Sequence, residues 1–320
     1  MRQTAAGAAG LVVMWSSGFV GARLGTEHAA ADTLLAWRYL VVAVVVGTLL
    51  AVRRPRLSGF EVRRQAVLGL LCQALYLAGV VTGVGMGVPA GVAALIAVLQ
   101  PLVVGALAGP VLGQPVRPRQ WAGLAVGLAA VAVVVAGDLG GGGHVLGYLL
   151  VVAGMLALSA GTLLERRWGL TTSFTDVLTI HCLVSCVVFT VAAAAAGRLA
   201  PPVTPEFWFA VLWVVVLSTF GGYGCYLLTL RALGATGVST LLFLTPPTTM
   251  VWALLMFGEP VGWTTAAGLA GCAAAVWLVL ARPGKVRWIR RSQPGRSTRP
   301  DVLESPSRPS APVSARTTAT

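Results

Sequence analysis

The chain has 320 residues, of which 57% are hydrophobic and 10% are charged, and its formal net charge at pH 7 is +13. An ordinary soluble domain carries about 25% charged residues, so this composition excludes a soluble globular protein and favours one solvated mainly by lipid. The positive charge does not indicate a nucleic-acid-binding protein, because no folded basic domain exists to carry it.

Long apolar segments recur along the whole chain and predict its architecture. A run of about 20 apolar residues can cross the roughly 30 Å hydrocarbon core as a helix, and continuous apolar runs favour helices over a lipid-embedded barrel. The predicted spans are 4–22, 33–52, 65–85, 90–112, 119–137, 145–164, 174–196, 207–230, 236–257 and 262–281. We therefore expect an all-α integral membrane protein with ten transmembrane helices.

The basic residues are divided unequally between the two sets of predicted loops. One set holds only Arg23 and Arg198. The other set, with the C-terminal segment, holds Arg53, Arg54, Arg56, Arg63, Arg64, Arg117, Arg119, Arg166, Arg167, Arg231, Lys285 and eight further arginines. Loops rich in arginine remain in the cytoplasm, so we expect a multi-pass protein of the cytoplasmic membrane with both termini cytoplasmic. Residues 282–320 are poor in hydrophobic residues and predict a disordered basic tail.

Two segments of the chain repeat each other at a constant offset of 145 residues. They are LQPLVVGALAGPVLGQPVRPRQWAG, which begins at Leu99, and LTPPTTMVWALLMFGEPVGWTTAAG, which begins at Leu244. The predicted repeats are residues 1–137 and 138–281, with five spans each. Because five is odd, the second repeat enters the membrane from the opposite side, and such 5+5 inverted-topology repeats are typical of secondary transporters.

Prolines interrupt the predicted fourth and ninth spans at equivalent positions. Pro101 lies in the fourth span, and Pro246 and Pro247 lie in the ninth. Proline removes a backbone donor, so all three residues predict helix kinks. The alternative is that they line a binding site near the middle of the membrane, where a freed carbonyl must find a partner.

Arg38 is the most informative charged residue, because it lies about two turns into the second predicted span. An arginine at the centre of a span costs about 2.5–3.5 kcal/mol on insertion, so it usually faces a cavity or a partner. Arg38 is a candidate for binding a substrate carboxylate. The alternatives are extension towards the headgroups or an ion pair with Asp32 or Glu27.

Further candidates are polar or aromatic residues within the spans. They are Trp15, Ser16, Gln73, Tyr76, Gln100, Tyr223, Tyr226, Thr245 and Trp252. Gln100 and Thr245, which precede the paired prolines, are the preferred polar pair, and Tyr76, Trp252 and Trp15 are the preferred aromatic residues. Hydrogen bonding between helices and packing at the membrane interface are the alternative roles.

His181 is a weak candidate for proton coupling, because histidine titrates near neutral pH. A neutral imidazole hydrogen-bonded between helices is the alternative. No catalytic residue, metal site or cofactor is predicted: the sequence has no GxxxxGK[ST] or HExxH motif and no CxxC pair.

Four features together resemble the EamA-type transporters of the drug/metabolite transporter superfamily. They are the ten spans, the doubled Pro…Gly-(Glu/Gln)-Pro…Gly segment, the WSSGF stretch that begins at Trp15, and Arg38. The resemblance implies a 5+5 inverted repeat, cytoplasmic termini and export of small metabolites or amino acids. The sequence departs from the family pattern at Gln114, where an acid is usual.

The expected function is therefore secondary transport, in the export direction, of a small metabolite or amino-acid-like compound by alternating access. A carrier of nucleotide sugars or sugar phosphates, or a non-transporting membrane sensor or assembly subunit, is the alternative. An enzyme is not expected, since paired acids or a histidine cluster are missing. The expected partners are the lipid bilayer and a small-molecule substrate, with a homodimer left open and no nucleic acid.

Overall fold

Helices form almost all of the chain that the structure describes, a computed structural model covering residues 2–53, 58–139 and 144–280. The predicted tail at 282–320 lies outside the described residues. In chain order, the elements are α1 (Arg2–Thr26), α2 (Ala31–Arg53), α3 (Gly59–Gly69), π1 (Leu70–Leu75), α4 (Tyr76–Gly85), α5 (Ala90–Ala97), α6 (Gln100–Leu112), α7 (Pro118–Leu139), α8 (Val145–Trp168), α9 (Phe174–Ala195), α10 (Pro205–Trp213), π2 (Val214–Gly221), α11 (Gly222–Leu242), α12 (Thr245–Phe257) and α13 (Trp263–Leu280).

Within these ranges, nine helical stretches are long and apolar enough to cross a membrane, and a shorter apolar helix covers Trp263–Val279. The expectation of an all-α multi-pass membrane protein is confirmed. The shorter helix occupies the position of the tenth predicted span. Two of the long stretches contain π-helical turns, in which the backbone bonds five residues apart rather than four.

The two repeated segments end their helices with the same local geometry. Gly113 and Gly258 both adopt left-handed backbone angles, with φ of 67° and 66°. Their own N–H groups donate to the carbonyls of Gly109 and Leu254, four residues earlier, at 2.9 and 3.0 Å. The following N–H groups, of Gln114 and Glu259, each donate at 3.3 Å to the carbonyl six residues earlier. This is a left-handed C-cap, at which glycine is the usual residue. Both repeated segments therefore end their helices at equivalent glycines.

Each repeated segment also contains a short interruption directly before its proline. The helical assignment stops at Val98 and Leu99 between α5 and α6, and at Phe243 and Leu244 between α11 and α12. Pro101 then lies in the first turn of α6, as Pro246 and Pro247 do in that of α12. A first-turn N–H has no helical partner, so proline adds no further unsatisfied donor there.

Helices α7 and α13 pack closely through a reciprocal pair of glycine contacts. A Cβ on Gly123 would lie 3.0 Å from the carbonyl oxygen of Ala275, and one on Gly268 would lie 3.3 Å from that of Ala130. The 145-residue offset relates Gly123 to Gly268 and Ala130 to Ala275, so it converts each contact into the other.

A second close approach joins α4 to α8. A Cβ on Gly79 would overlap the carbonyl oxygen of Leu150, and one on Gly83 would lie 2.6 Å from the carbonyl oxygen of Gly147. Small residues let helix backbones approach in this way, and dispersion contacts between the helices then stabilise the pair. Elsewhere α2 packs against α9, while α1 packs against α4, α5, π2, α11 and α12. Helix α1 therefore lies among helices from both halves of the chain.

Gly79→Ala should lower the melting temperature of the purified protein. The added methyl group would meet backbone rather than a movable side chain, so α4 and α8 must separate, at a cost of about 1–3 kcal/mol. Thermal unfolding followed by tryptophan fluorescence in detergent measures the change. Gly47→Ala is the control, because Gly47 has no atom within 4 Å of a built Cβ. Equal melting temperatures for the two variants would contradict the proposed role of this contact.

Candidate functional site

Arg38 is buried in the bundle and has no acidic partner among the described residues. Arg38 is only 5% exposed. Nε and Nη2 donate to Thr219 Oγ1 at 3.3 and 3.0 Å, and Nη2 lies 3.4 Å from Ser218 Oγ. Asp32 and Glu27, the acids considered as partners, instead pair with Arg198 and Arg23. Burial also rules out extension of this guanidinium to the headgroups.

The hydroxyl groups that accept hydrogen bonds from Arg38 belong to the π-helical turn π2. Thr219 Oγ1 donates to the carbonyl of Val214, five residues earlier, at 3.0 Å. Its oxygen is then oriented to accept from the guanidinium. The widened turn places Ser218 and Thr219 side by side against α2. These two partners of Arg38 were not predicted, since no sequence pattern used above indicates a π-helical turn.

A second polar group continues from Arg38 towards α9. Tyr39 lies beside the guanidinium, with the Arg38 Cζ atom 5.4 Å from the ring centroid. Gln73, in π1, donates to Tyr39 OH at 2.8 Å and accepts from Tyr223 OH at 3.4 Å. Gln73 Nε2 also lies 3.5 Å from the Cys182 sulfur. The two π-helical turns thus contribute to one polar cluster across α2, α9 and α11.

Four aromatic rings border this polar cluster. Trp15 packs against Tyr223 and Tyr226 with centroid distances of 6.0 and 5.9 Å. Phe174 contacts the same two tyrosines at 6.2 and 5.9 Å, and its ring is stacked on Tyr226. Because Tyr223 also bonds to Gln73, the aromatic group and the polar cluster share one residue. We call the two together the Arg38 site.

Space beside Arg38 is small. A void bordered by Gly18, Arg38 and Val214 is too narrow to hold a water molecule. Any substrate that reaches the guanidinium therefore requires the surrounding helices to move apart. A separate open depression of about 290 Å³ lies near the end of α1 and the start of α10. It is lined by His28, Glu206 and their apolar neighbours.

The preferred polar pair does not join the Arg38 site. Gln100 Nε2 donates to Thr162 Oγ1 of α8 at 3.1 Å. The Thr245 carbonyl accepts from Ser16 Oγ of α1 at 3.3 Å, while the Thr245 hydroxyl is buried without a partner among the described residues. The residues before the two prolines are thus attached to different helices, α8 and α1.

The remaining predicted residues have varied surroundings. Trp252 packs edge-on against Trp213 at 5.2 Å, outside the four-ring group. Tyr76 is half-buried against the core. His181 Nε2 lies 3.3 Å from Gln65 Oε1, and Gln65 Nε2 donates to Thr172 Oγ1 in the loop before α9. Of the three preferred aromatic candidates, Trp15 is the one that belongs to the Arg38 site as defined above. In the described ranges, no three His, Cys, Asp or Glu side chains are grouped for a metal ion.

An ion pair lies at the C-terminal end of α1. Arg23 Nε lies 3.1 Å from Glu27 and 3.8 Å from Glu259, which follows the left-handed glycine that ends α12. The Glu259 side chain is only 23% exposed, so it is less hydrated than its position in a loop suggests. Burial raises the pKa of Glu259, although Arg23 and the backbone N–H of Ala90 favour its charged form.

Comparison with solved structures shows the same fold. Among 21 matching chains is a crystal structure, described only as that of a protein, that is 19% identical to this chain. The alignment covers 88% of this chain and 97% of the other, with a TM-score of 0.60. No curated protein matches.

Comparison with protein families decides the class of protein. The EamA-like transporter family matches this chain twice, at residues 4–136 and 145–281. The chain belongs to the EamA-like transporter family. The predicted resemblance is confirmed, and the EamA-like chain contains two copies of the family unit. Members of the EamA-like family are membrane transporters rather than enzymes, which agrees with the apolar helices described above.

Thr219→Val should destabilise this EamA-like protein by about 1–3 kcal/mol, since it leaves buried guanidinium N–H groups without an acceptor. Thr229→Val is a matched control in the adjoining helix, because the Thr229 hydroxyl is buried without a partner among the described residues. The control should unfold at or above the wild-type temperature. Equal stability of the Thr219 variant and the wild type would show that Arg38 does not need this hydroxyl.

Glu259→Gln should raise the melting temperature near neutral pH and leave it unchanged in acid. Because folding raises the pKa of Glu259, its contribution favours the folded state at low pH and is lost as pH rises through that pKa. Removing the charge therefore removes this loss, by less than about 1 kcal/mol since the weak ion pair with Arg23 is lost too. Melting temperatures between about pH 8 and pH 4 test this.

Gln114→Glu provides the control for that measurement. Gln114 occupies the equivalent loop but is exposed, so a carboxylate there should not change how stability depends on pH. A Glu259→Gln variant that is less stable than wild type at neutral pH would contradict the assignment.

Proposed function

We propose that this EamA-like chain is a ten-span secondary transporter built from two inverted five-span repeats, residues 1–137 and 138–281. In this proposal it exports a small metabolite or amino-acid-like compound across the cytoplasmic membrane by alternating access. The tenth span is assigned to α13, which follows a loop that begins with the same left-handed glycine cap as the loop before α7.

The observation that carries the repeat arrangement is the reciprocal contact between α7 and α13. A contact from Gly123 to Ala275 becomes, at an offset of 145 residues, the contact from Gly268 to Ala130, and this reciprocity supports two like units that face each other. The helix after each paired interruption also packs against the first helix of the other repeat, since α6 packs on α8 and α12 on α1. Two such units can exchange inward-open and outward-open arrangements around a central site.

We assign the substrate contact to Arg38. The guanidinium is buried, and its hydrogen-bond acceptors among the described residues are neutral hydroxyl groups. A buried cation is expensive unless an anion compensates it, and a carboxylate on the substrate supplies that anion with bidentate geometry. Thr219 and Ser218 keep the guanidinium oriented while the site is empty. Trp15 and Tyr223 would contact the apolar part of the compound.

The Arg38 site has no room for a substrate in the described arrangement. Alternating access therefore supplies the opening that binding requires. The interruptions before Pro101 and Pro246 are suitable positions for this movement, because helical hydrogen bonding is already broken there and little further bonding is lost. Gln100 and Thr245, one residue before those prolines, would change partners during the movement. Coupling to protons, if it occurs, is assigned to His181, whose imidazole faces a neutral amide.

The distribution of basic residues supports one orientation of the chain in the membrane. The loops at the Arg63 and Arg166 end carry most of the basic residues, which supports a cytoplasmic location for that end and for both termini. Arg23 and Glu259 then lie at the outer face. The proposal includes no cofactor and no nucleic acid, and it leaves the chain able to act alone or as a homodimer.

Untargeted mass spectrometry of the growth medium tests the proposed function. Cells that express the wild-type protein should enrich a carboxylate-bearing compound in the medium, and Arg38→Ala should abolish that enrichment. Hydrogen bonds to a charged group contribute about 1.5–3 kcal/mol, so a loss of about 10-fold or more is expected. Arg198→Ala is the matched control, because this arginine is 59% exposed and lies outside the Arg38 site.

Arg38→Lys separates the role of charge from that of the guanidinium geometry. It keeps the cation but loses the planar fork, so the rate of export should be intermediate. Immunoblots of membranes normalise each variant to its abundance. Full export by Arg38→Ala at equal abundance would remove Arg38 from the substrate site. Unchanged media for the wild type, in both export and uptake assays, would contradict the transporter proposal itself.

A further inference from the structure

One arginine at the basic end of the bundle is held between two aromatic rings. The Arg64 guanidinium carbon lies 4.1 Å from the ring centroid of Phe60 and 5.0 Å from that of Trp168. Phe60 and Arg64 belong to α3, whereas Trp168 is the last residue of α8. This sandwich places Arg64 in the seam between these two helices.

Three more arginines surround this seam. Arg63 precedes Arg64 on α3, and Arg166 and Arg167 occupy the last turn of α8. We call Arg63, Arg64, Arg166 and Arg167 the arginine cluster. Within the described ranges, none of the four forms an ion pair. The free carbonyl groups at the end of α8 favour cations nearby but do not neutralise them.

The nearest acidic residues do not compensate the arginine cluster. Glu61 is engaged in a capping box, in which its carboxylate accepts from Ser58 N–H at 3.0 Å and from Ser58 Oγ at 2.8 Å. Glu165 precedes Arg166 on α8, is exposed and interacts electrostatically with Arg166, although no carboxylate–guanidinium contact within 4 Å joins it to a described residue. One carboxylate beside four guanidinium groups still leaves an excess of positive charge.

The surface next to the arginine cluster is apolar and exposed. On α3, Phe60 is 62% exposed, Val67 is 38% exposed and Leu70, at the start of π1, is 37% exposed. With Arg63 they follow the spacing i, i+3, i+7 and i+10, so they share one face of the helix. Charge at the helix end therefore continues directly into a stripe that faces the hydrocarbon.

We propose that the arginine cluster is a binding site for the headgroup of an anionic phospholipid. The phosphate accepts from Arg64 and its neighbours, while one acyl chain lies along the Val67 and Leu70 stripe. Basic pockets between transmembrane helices bind such headgroups, and two arginine pairs on adjacent helices suit a lipid with two phosphates. Cardiolipin is therefore expected to bind more tightly than phosphatidylglycerol, and phosphatidylcholine least.

A lipid fits these observations better than a soluble anion, because the arginine cluster and the apolar stripe are continuous. A free phosphate would bind the guanidinium groups but would make no contact with the apolar side chains of Phe60, Val67 and Leu70. The site lies at the surface of the α3–α8 pair and uses none of the residues assigned to the Arg38 site. It therefore does not rest on the proposed function.

Native mass spectrometry of the full-length protein, with cardiolipin, phosphatidylglycerol or phosphatidylcholine added in detergent, measures this binding. Each arginine near a lipid surface contributes about 5-fold to affinity, so Arg64→Gln with Arg167→Gln should weaken cardiolipin binding about 25-fold. The matched control is Arg117→Gln with Arg119→Gln, which removes the same charge from the start of α7, at the same end. It should retain wild-type affinity within about 2-fold.

Trp168→Leu tests the site without changing any charge. It removes one side of the Arg64 sandwich, so cardiolipin affinity should fall while binding of phosphatidylcholine stays constant. Equal losses in the two arginine double variants, with none in Trp168→Leu, would show a diffuse charge effect and overturn the proposal. Competition by inorganic phosphate alone, with no preference among the lipids, would also overturn it. If the first double variant aggregates on size-exclusion chromatography, Arg63→Gln with Arg166→Gln replaces it.

Discussion

Backbone polar groups in hydrocarbon have no water to bond with, and this constraint determines most of the structure. It explains why helices form almost all of the described chain. It also explains where helical bonding stops. The interruptions between α5 and α6 and between α11 and α12 each precede a proline, whose missing N–H already removes one bond. Both interruptions are covered by neighbouring helices, α8 for the first and α1 for the second. Glycine also lets neighbouring helices cover one another, since the backbones of α4 and α8 are in direct contact at Gly79.

The Arg38 site applies the same constraint to a side chain. A guanidinium inside the bundle needs acceptors, and the hydroxyl groups of Ser218 and Thr219 provide them without neutralising its charge. The π-helical turn that presents them satisfies its own carbonyl at Val214 through Thr219. Structure, local hydrogen bonding and the proposed chemistry therefore depend on a single widened turn. An acidic partner in place of these hydroxyl groups would hold Arg38 more tightly and would compete with any carboxylate that entered.

Much of the fold could be predicted from the sequence because apolar length and repeated motifs act over short distances. The span boundaries differ from the helices by a few residues, and the two repeated segments end their helices at the equivalent glycines 113 and 258. The site was harder to predict. Arg38 could be selected, since charge within a span is conspicuous, but its partners could not. Thr219 lies 181 residues away, and its orientation depends on a π-helical turn that the 3.6-residue period cannot reveal.

Candidate residues chosen by repeat symmetry had a different outcome. Gln100 and Thr245 are equivalent in the sequence, yet each bonds to a separate helix, Gln100 to α8 and Thr245 to α1. Pairing by offset therefore predicts equal local geometry, as at the two helix-ending glycines, rather than proximity. Trp15 and Tyr223 come together without any sequence relation between them.

The helix ends after α6 and α12 match in backbone but differ in charge. Both end at a left-handed glycine with the same hydrogen-bond pattern, but Gln114 follows one glycine and Glu259 follows the other. In the proposed transporter, two identical repeats would give inward-open and outward-open states of equal energy. A carboxylate in only one repeat removes that equality. The differences between the two copies, rather than their likeness, would then set which state is populated at rest.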